Sequence, residues 1–473
     1  MGGSCVGTEG LLPLRRRGRL ALVLLTALAL ALSAATQARP AEGADLAEVI
    51  LVGNNWEGTA DVIEVRYPNQ AGAGQAKKCL TKKAGEGKRK TCKRSRGAEF
   101  AQAGQPGQAS QQGSPSYRTV ARINIVPDLQ ERMAELLTNP IDLAYFLAIR
   151  VLIGENNDQF VDDMYTTNDG RLLIVSRPSL KDVVGIELAT GEIAWRFEVA
   201  GQRADHMGLS PDGTRVAVSA STGNVVHILD TETGQEVGRF PSGDSPHENS
   251  YSADGQRIFH ASIGLVYTPL DLPLLDSTKG DRRFQVVDTA TNGIIKRVNI
   301  GQKLAEAGYP DMSSAVRPMA ITADESRIYM QVSFLHGFVE YDNVNDRVLR
   351  VANLPDHYGG PRETYLLDSA HHGIAIDGSD QSLCVAGTMS DYAAIVDVDD
   401  FSDRTLLQGL GTKPYWSTTS RDGRYCYVSW SGTDAISVID YATRQEVAHI
   451  PVGDHPQRVR TGQVPQSFID AAR

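Results

Sequence analysis

The chain carries none of the short motifs that mark the commonest catalytic machines. It has no GxSxG elbow, no P-loop, no HExxH pair and no CxxCH. Enzymes built on those motifs, from nucleophile-elbow hydrolases to c-type cytochromes, are therefore excluded. Asp-Gly pairs recur, but they lack the regular acidic spacing that a calcium loop needs. Positive charge is not in surplus: 47 Lys and Arg stand against 57 Asp and Glu, a net charge of −10. That balance excludes a nucleic-acid surface over most of the chain. Long apolar runs are absent beyond Leu32, yet a hydrophobic content of 41% is ample for a core.

What is present begins with Arg15, Arg16, Arg17 and Arg19, an apolar run over 20–32 and small residues after it. A positive flank, a short apolar core and a small-residue exit read as a secretory signal over 1–38. The run is shorter than the roughly 20 residues a membrane span requires. No Cys stands at the exit for a lipid anchor, and the residues flanking the paired arginines fit a twin-arginine signal poorly. The expected product, 39–473, is secreted, extracellular or in the cell envelope or periplasm, with no membrane span after cleavage.

Two strand-like runs, EVILVG and DVIEVR, open the mature part. Segment 68–117 then changes composition. It is rich in Gly, Gln, Ala and Lys and has almost nothing to pack, so it reads as a solvated basic insertion. Two roles stay open for it: an arm for an anionic partner such as a cell-wall polymer, or a tolerated surface loop. Cys79 and Cys92 lie inside it and are expected to pair in an oxidising compartment.

The stretch ADHMGLSPDGTRVAVSASTGNVVHILDTETGQEV (204–237) reads as four short strands rich in β-branched residues and bounded by Asp-Gly and Thr-Gly turns. One such unit cannot bury both faces and needs copies of itself beside it. Similar openings occur at FVDDMYTTNDG, SPHENSYSADG, AVRPMAITADES, AHHGIAIDGSD and KPYWSTTSRDG. A helical insertion over 128–156 interrupts the series, with two short helices in LQERMAELL and IDLAYFLAIRVLIG. The N-terminal copy lacks its first strand, and 455–460 after Val452-Gly453-Asp454 supplies one. A ring closed by the two chain ends leaves no open sheet edge. The fold expected is all-β, a seven-bladed β-propeller closed by pairing of N- and C-terminal segments.

Units such as SPDGTRVAVSASTGNVVHILDTETGQEV, VVDTATNGIIKRVNIG and SVIDYATRQEVAHIPVG resemble the YVTN family of seven-bladed β-propellers, over roughly 160–464 and 49–66. The resemblance implies the fold. Related rings serve as surface-layer adhesins, lactonases, haem d1 domains and copper-site domains of reductases, so it implies no single activity.

First strands are innermost in a propeller, so residues at their openings ring the channel. Aligning the turns places there Asp162 and Asp163, Asp205 and His206, His247 and Glu248, Arg317, His371 and His372, Tyr415 and Trp416, and Arg458 beside His455. Three readings stay open. In the first, Asp163, Asp205, Glu248, Arg317, Tyr415, Trp416 and Arg458 bind a small ligand or an extracellular or cell-envelope partner at the channel mouth. In the second, His206, His247 and His372, with Glu248, hold copper, iron or zinc with an open position, as in a metal-dependent oxidoreductase. In the third, a metal-free lactonase-like or cycloisomerase-like enzyme uses Arg317 or Arg458 as a clamp and His or Glu to move a proton. Strand alternation keeps His371 and His372 from both facing inward. A monomer is expected.

Five other histidines, at 227, 260, 336, 357 and 449, are assigned packing or surface roles. Asp230, Asp288, Asp342, Asp397 and Asp440 recur after third strands as turn formers. Cys384 and Cys426 occupy equivalent places in neighbouring copies, where sheets stack about 10 Å apart. They are therefore expected to be two buried free thiols.

Overall fold

Each copy alternates so that both faces of its middle strands are apolar. In Arg215–Ala220, Val216 and Val218 point towards the preceding copy and Ala217 towards the next. The computed structural model describes residues 45–68, 114–265, 278–365 and 369–473. It contains seven four-stranded antiparallel sheets. Seven apolar clusters fill the interfaces between neighbouring sheets, one per interface, and this closes the ring. The fold is a seven-bladed β-propeller.

Blade 1 takes its inner strand, Pro456–Pro465, from the far end of the chain and then adds Leu46–Asn54, Thr59–Arg66 and Ser116–Asn124. Its seam runs from Leu46↔Pro465 to Asn54↔Pro456. Blades 2 to 7 open with Asp163–Thr166, Ala204–Leu209, Pro246–Tyr251, Val316–Ile321, Ile374–Ile376 and Pro414–Thr419. These inner strands contact one another in sequence around the channel. The outermost strands alternate exposed and half-buried residues, as in Ile193–Glu198, because only one side meets protein.

The repeated turns have a common chemistry. In SPDG, the Ser210 hydroxyl donates to Asp212 at 2.6 Å and accepts the Arg215 amide at 3.0 Å, while Gly213 takes φ +66°. Thr167 with Asp169, Ser252 with Asp254, Thr322 with Asp324 and Ser420 with Asp422 repeat the hydroxyl–carboxylate pair. The third-strand aspartates are turn formers as well. Asp230, Asp288 and Asp440 each accept the amide of the Thr three residues on.

Two helices fall in the expected insertion, α1 (Leu129–Thr138) and α2 (Pro140–Leu152). They are held on blade 2. Arg177, fully buried, bonds both Asp182 oxygens at 2.8 Å and Asp128 before α1 at 2.6 and 3.0 Å. Asp142 of α2 pairs with Lys181 at 2.7 Å. Two further short helices are α3 (Ile300–Glu306) and α4 (Gln466–Ala471).

One expectation is overturned. Cys384 and Cys426 form a disulfide between blades 6 and 7, with Cα atoms 6.4 Å apart. Blades radiate from an axis, so their second strands lie closer together than the roughly 10 Å of parallel stacked sheets. The signal segment and the Cys79–Cys92 pair lie outside the described residues. Among the described residues, no helix is long and apolar enough to cross a membrane.

In an up-and-down ring, links from strand four to the next strand one, and from two to three, lie on the same rim. The helical insertion and the long links 263–283, 299–315 and 354–373 are all of these two kinds, so they leave from the rim where inner strands begin. The link 67–115 joins strands three and four and leaves from the other rim.

Candidate metal centre in the channel

The residues at the strand openings are presented by a repeated irregularity. In Ala204–Leu209 the pairing jumps from Ala204↔Ala220 to Met207↔Val218, leaving Asp205 and His206 outside the ladder. The same one-residue shift occurs at His247 and Glu248, at Arg317 and Pro318, and at Tyr415 and Trp416; in blade 1 it falls at Gln457. A bulge re-aims side chains that strict alternation would send to opposite faces.

Three imidazoles from three blades converge. Ligand nitrogens of His206, His247 and His372 lie within 4.8 Å of one another. Around a tetrahedral ion with bonds of ~2.1 Å, ligand atoms stand about 3.4 Å apart, so a modest inward shift would close the set. The His206 and His247 rings are 3.7 Å apart by centroid, and His372 lies 5.8 and 5.9 Å from them. All three are buried, at 2%, 4% and 0% exposure. Burial drives each imidazole pKa well below the ordinary range; Arg458 adds to this at His206, and Arg317 at His247 and His372. The rings are therefore neutral at physiological pH, the form that binds metals.

Carboxylates flank the imidazoles. His206 Nδ1 lies 2.9 Å from Glu248 Oε2, and its Nε2 lies 3.8 and 3.9 Å from oxygens of Asp205 and Asp162. Asp162, Asp205 and His206 thus form a second group with metal-ligand spacing. Burial raises Glu248 to about 7, against the pull of Arg460 and Arg458. Burial also raises Asp162, with Arg458 opposing and Asp205 adding to it. Among the described residues, several groups have no hydrogen-bond partner: His247 Nδ1, both nitrogens of His372, Asp205 Oδ1, Arg203 Nε and Arg458 Nη1. The Tyr415 backbone lies beside His372 and pulls its pKa slightly upward without an aligned bond.

Structural supports surround this set. Asn249 Nδ2 donates to the His206 carbonyl at 3.3 Å, and Ser219 Oγ to that of His247 at 2.9 Å. His260 Nδ1 lies 2.9 Å from the Glu248 carbonyl, pinning that bulge from behind. Tyr415 stacks on His372 at 4.1 Å. Trp416 stands 5.6 and 5.7 Å from His206 and His372, with the Arg458 guanidinium 3.6 Å above its ring.

The other residues expected in the ring fall into distinct roles. Asp163 takes a two-point bond from Arg460 (2.9 and 2.7 Å) and accepts the Met207 amide, so it ties blades 1, 2 and 3 together. Its neighbour Asp162 is the one that faces His206. Arg458 donates to the Asp162 carbonyl at 2.7 Å and lies 3.3 Å from its carboxylate. Arg317 donates to Ser333 at 2.8 Å. His371 turns away to the Tyr392 hydroxyl at 3.0 Å, and His455 stacks on Trp56 at 3.8 Å. Sequence reasoning missed Arg203 and Arg460. Each sits two residues from a residue that was chosen, Asp205 and Arg458, and the period of two could have found them.

Next to the centre lies a cavity of about 330 Å³, lined by the later halves of the inner strands, including Tyr165, Glu248, Tyr251, Met319, Trp416 and Arg460. Glu248 and Trp416 belong both to its wall and to the shell around the imidazoles.

No family model matches the chain. No curated protein matches it either. Among solved structures, hydrazine synthase of Kuenenia stuttgartiensis is similar to 63% of this chain and 88% of that one, at 14% identity and a TM-score of 0.47. So distant a likeness bears on no residue of the channel.

Proposed function

We propose that this chain is a metal-binding propeller that holds one transition-metal ion, copper, zinc or iron, at His206, His247 and His372. Asp162 and Asp205 stand on its flank. The observation that carries the reading is the convergence of three buried, neutral imidazoles from separate blades within 4.8 Å, two of them with unpartnered nitrogens. Two such rings stripped of water with unpartnered nitrogens are costly unless a ligand compensates them. Glu248 on His206 Nδ1 is the arrangement that fixes a ring's tautomer and frees Nε2 for an ion. Three protein nitrogens leave a coordination position for a small substrate, so metal-dependent chemistry, oxidoreductase chemistry included, is the activity proposed. The repeat units and their YVTN-like sequence fit an exported propeller over 39–473, and the Cys384–Cys426 bond suits an oxidising compartment.

The test is elemental analysis of protein purified without a His tag, beside a His206→Ala, His247→Ala, His372→Ala variant. About one ion per chain, absent from the variant, is expected. A folded protein that arrives metal-free and takes up none of copper, zinc or iron at micromolar concentration would overturn the reading.

A second reading has its own support. The hydroxyls of Tyr251 and Ser417, both in the cavity wall, have no partner among the described residues. The cavity would then bind a small polar ligand without turnover, and metal removal would leave that binding unchanged.

A further inference from the structure

The unpartnered atoms around the imidazoles are of two kinds. His247 Nδ1 and both nitrogens of His372 are ring atoms that can hold an ion. Arg458 Nη1 and Arg203 Nε are donors. A metal ion answers the first kind and leaves the second unmet. Resting on the metal reading, we infer that the centre takes a compact oxyanion beside its ion, a group of carboxylate size. One oxygen completes the coordination and the other accepts from Arg458.

Arg458 is built for this. It is fully buried, its guanidinium carbon lies 3.6 Å over the Trp416 ring, and its Nε and Nη2 edge is already committed to Asp162. Only Nη1 is left over, on a group with no freedom to seek water. The charges point the same way. Arg203, Arg317 and Arg458 all act on the imidazoles by their charge. The nearby carboxylates are largely engaged, Asp163 by Arg460, Asp205 by Arg203 and Glu248 by His206. Adding a divalent ion increases the positive charge, and an anion restores balance. The size limit follows from burial. His206, His247, His372, Asp205 and Arg458 are at most 4% exposed, and Trp416 and Glu248, which touch the imidazoles, also line the cavity. Formate and acetate fit that description.

The experiment loads the full-length protein with cobalt(II) and follows its visible absorption bands during titration with formate, acetate and acetamide. Formate and acetate are expected to shift the bands saturably and acetamide, equal in shape but neutral, to leave them unchanged. Arg458→Gln should weaken acetate roughly 10- to 100-fold, while acetamide still leaves the bands unchanged. If that variant does not fold, the acetate–acetamide comparison on the unmodified protein decides alone. Bands that ignore both anions, or respond equally to acetate and acetamide, overturn the oxyanion while leaving the ion in place. A protein that acquires no cobalt bands overturns the metal reading and the shared ligand together.

Discussion

Breaking the bond between blades 6 and 7 has a size that can be worked out. Cys384 and Cys426 are separated by 42 positions. Cross-linking a loop of that length removes unfolded-state entropy worth about 4 kcal/mol at 25 °C in the chain-entropy model. Unfolding entropy runs near 2.1 cal/mol/K per residue, so roughly 400 ordered residues give about 0.8 kcal/mol per degree, and the midpoint should drop about 5 °C. The perturbation is Cys384→Ala with Cys426→Ala, read by scanning calorimetry at a fixed scan rate. Alanine is preferred to serine because both sites are fully buried in an apolar cluster with Val428, Trp430 and Ile439. Cys79→Ala with Cys92→Ala serves as the control for altered thiol content. A melting point within about 1 °C of the parent would refute the reasoning. So would native protein in which alkylation followed by peptide mapping finds either thiol free.

Four other predictions concern the centre and its frame. Glu248→Gln should weaken metal binding roughly 10- to 100-fold in a competition titration, because an amide replaces the carboxylate that orients His206 through Nδ1. Gly373→Ala should lower both melting temperature and metal content, since a Cβ there would lie 2.6 Å from the Trp416 carbonyl carbon and push blades 6 and 7 apart. Arg177→Met should cost about 3 kcal/mol in denaturant unfolding, as it strips buried Asp182 of its two-point partner and leaves it the longer contact with Arg132 at 3.5 Å. Burial pushes Asp128 up, but Arg177 outweighs this and holds it below the ordinary carboxylate range. Its contribution is therefore present above about pH 4 and lost as pH falls further. Asp128→Asn should flatten that part of the stability–pH curve.

The ring was legible because its signals are local. Ser-x-Asp-Gly turns fix hairpins through one hydroxyl and one carboxylate, and β-branched runs between them need no distant partner to be recognised. The split blade was legible too, since a copy without a first strand and a first strand without a copy stood at opposite ends. Position in the repeat also brought His206, His247 and His372 into one group, although that alone could not say what they hold. The bulges were not legible. They depend on how an inner strand meets its neighbour, and one of them decides that Asp205 and His206 both reach the channel. The parting of His371 and His372, by contrast, was legible from strand alternation. The disulfide was missed because a repeat gives equivalence of position but not the taper of the wedge between blades.

The borrowed inner strand of blade 1 has a consequence for biogenesis. Its 10 residues include Arg458, which lies over Trp416, and Arg460, which fastens Asp163. A nascent chain that has made only six blades and a fragment therefore has its histidines but not the guanidiniums of Arg458 and Arg460. The centre is finished in one step, when the last strand zips onto Leu46–Asn54. A chain cut short before that point would expose a half-formed channel to proteases and stray metals instead of retaining partial function.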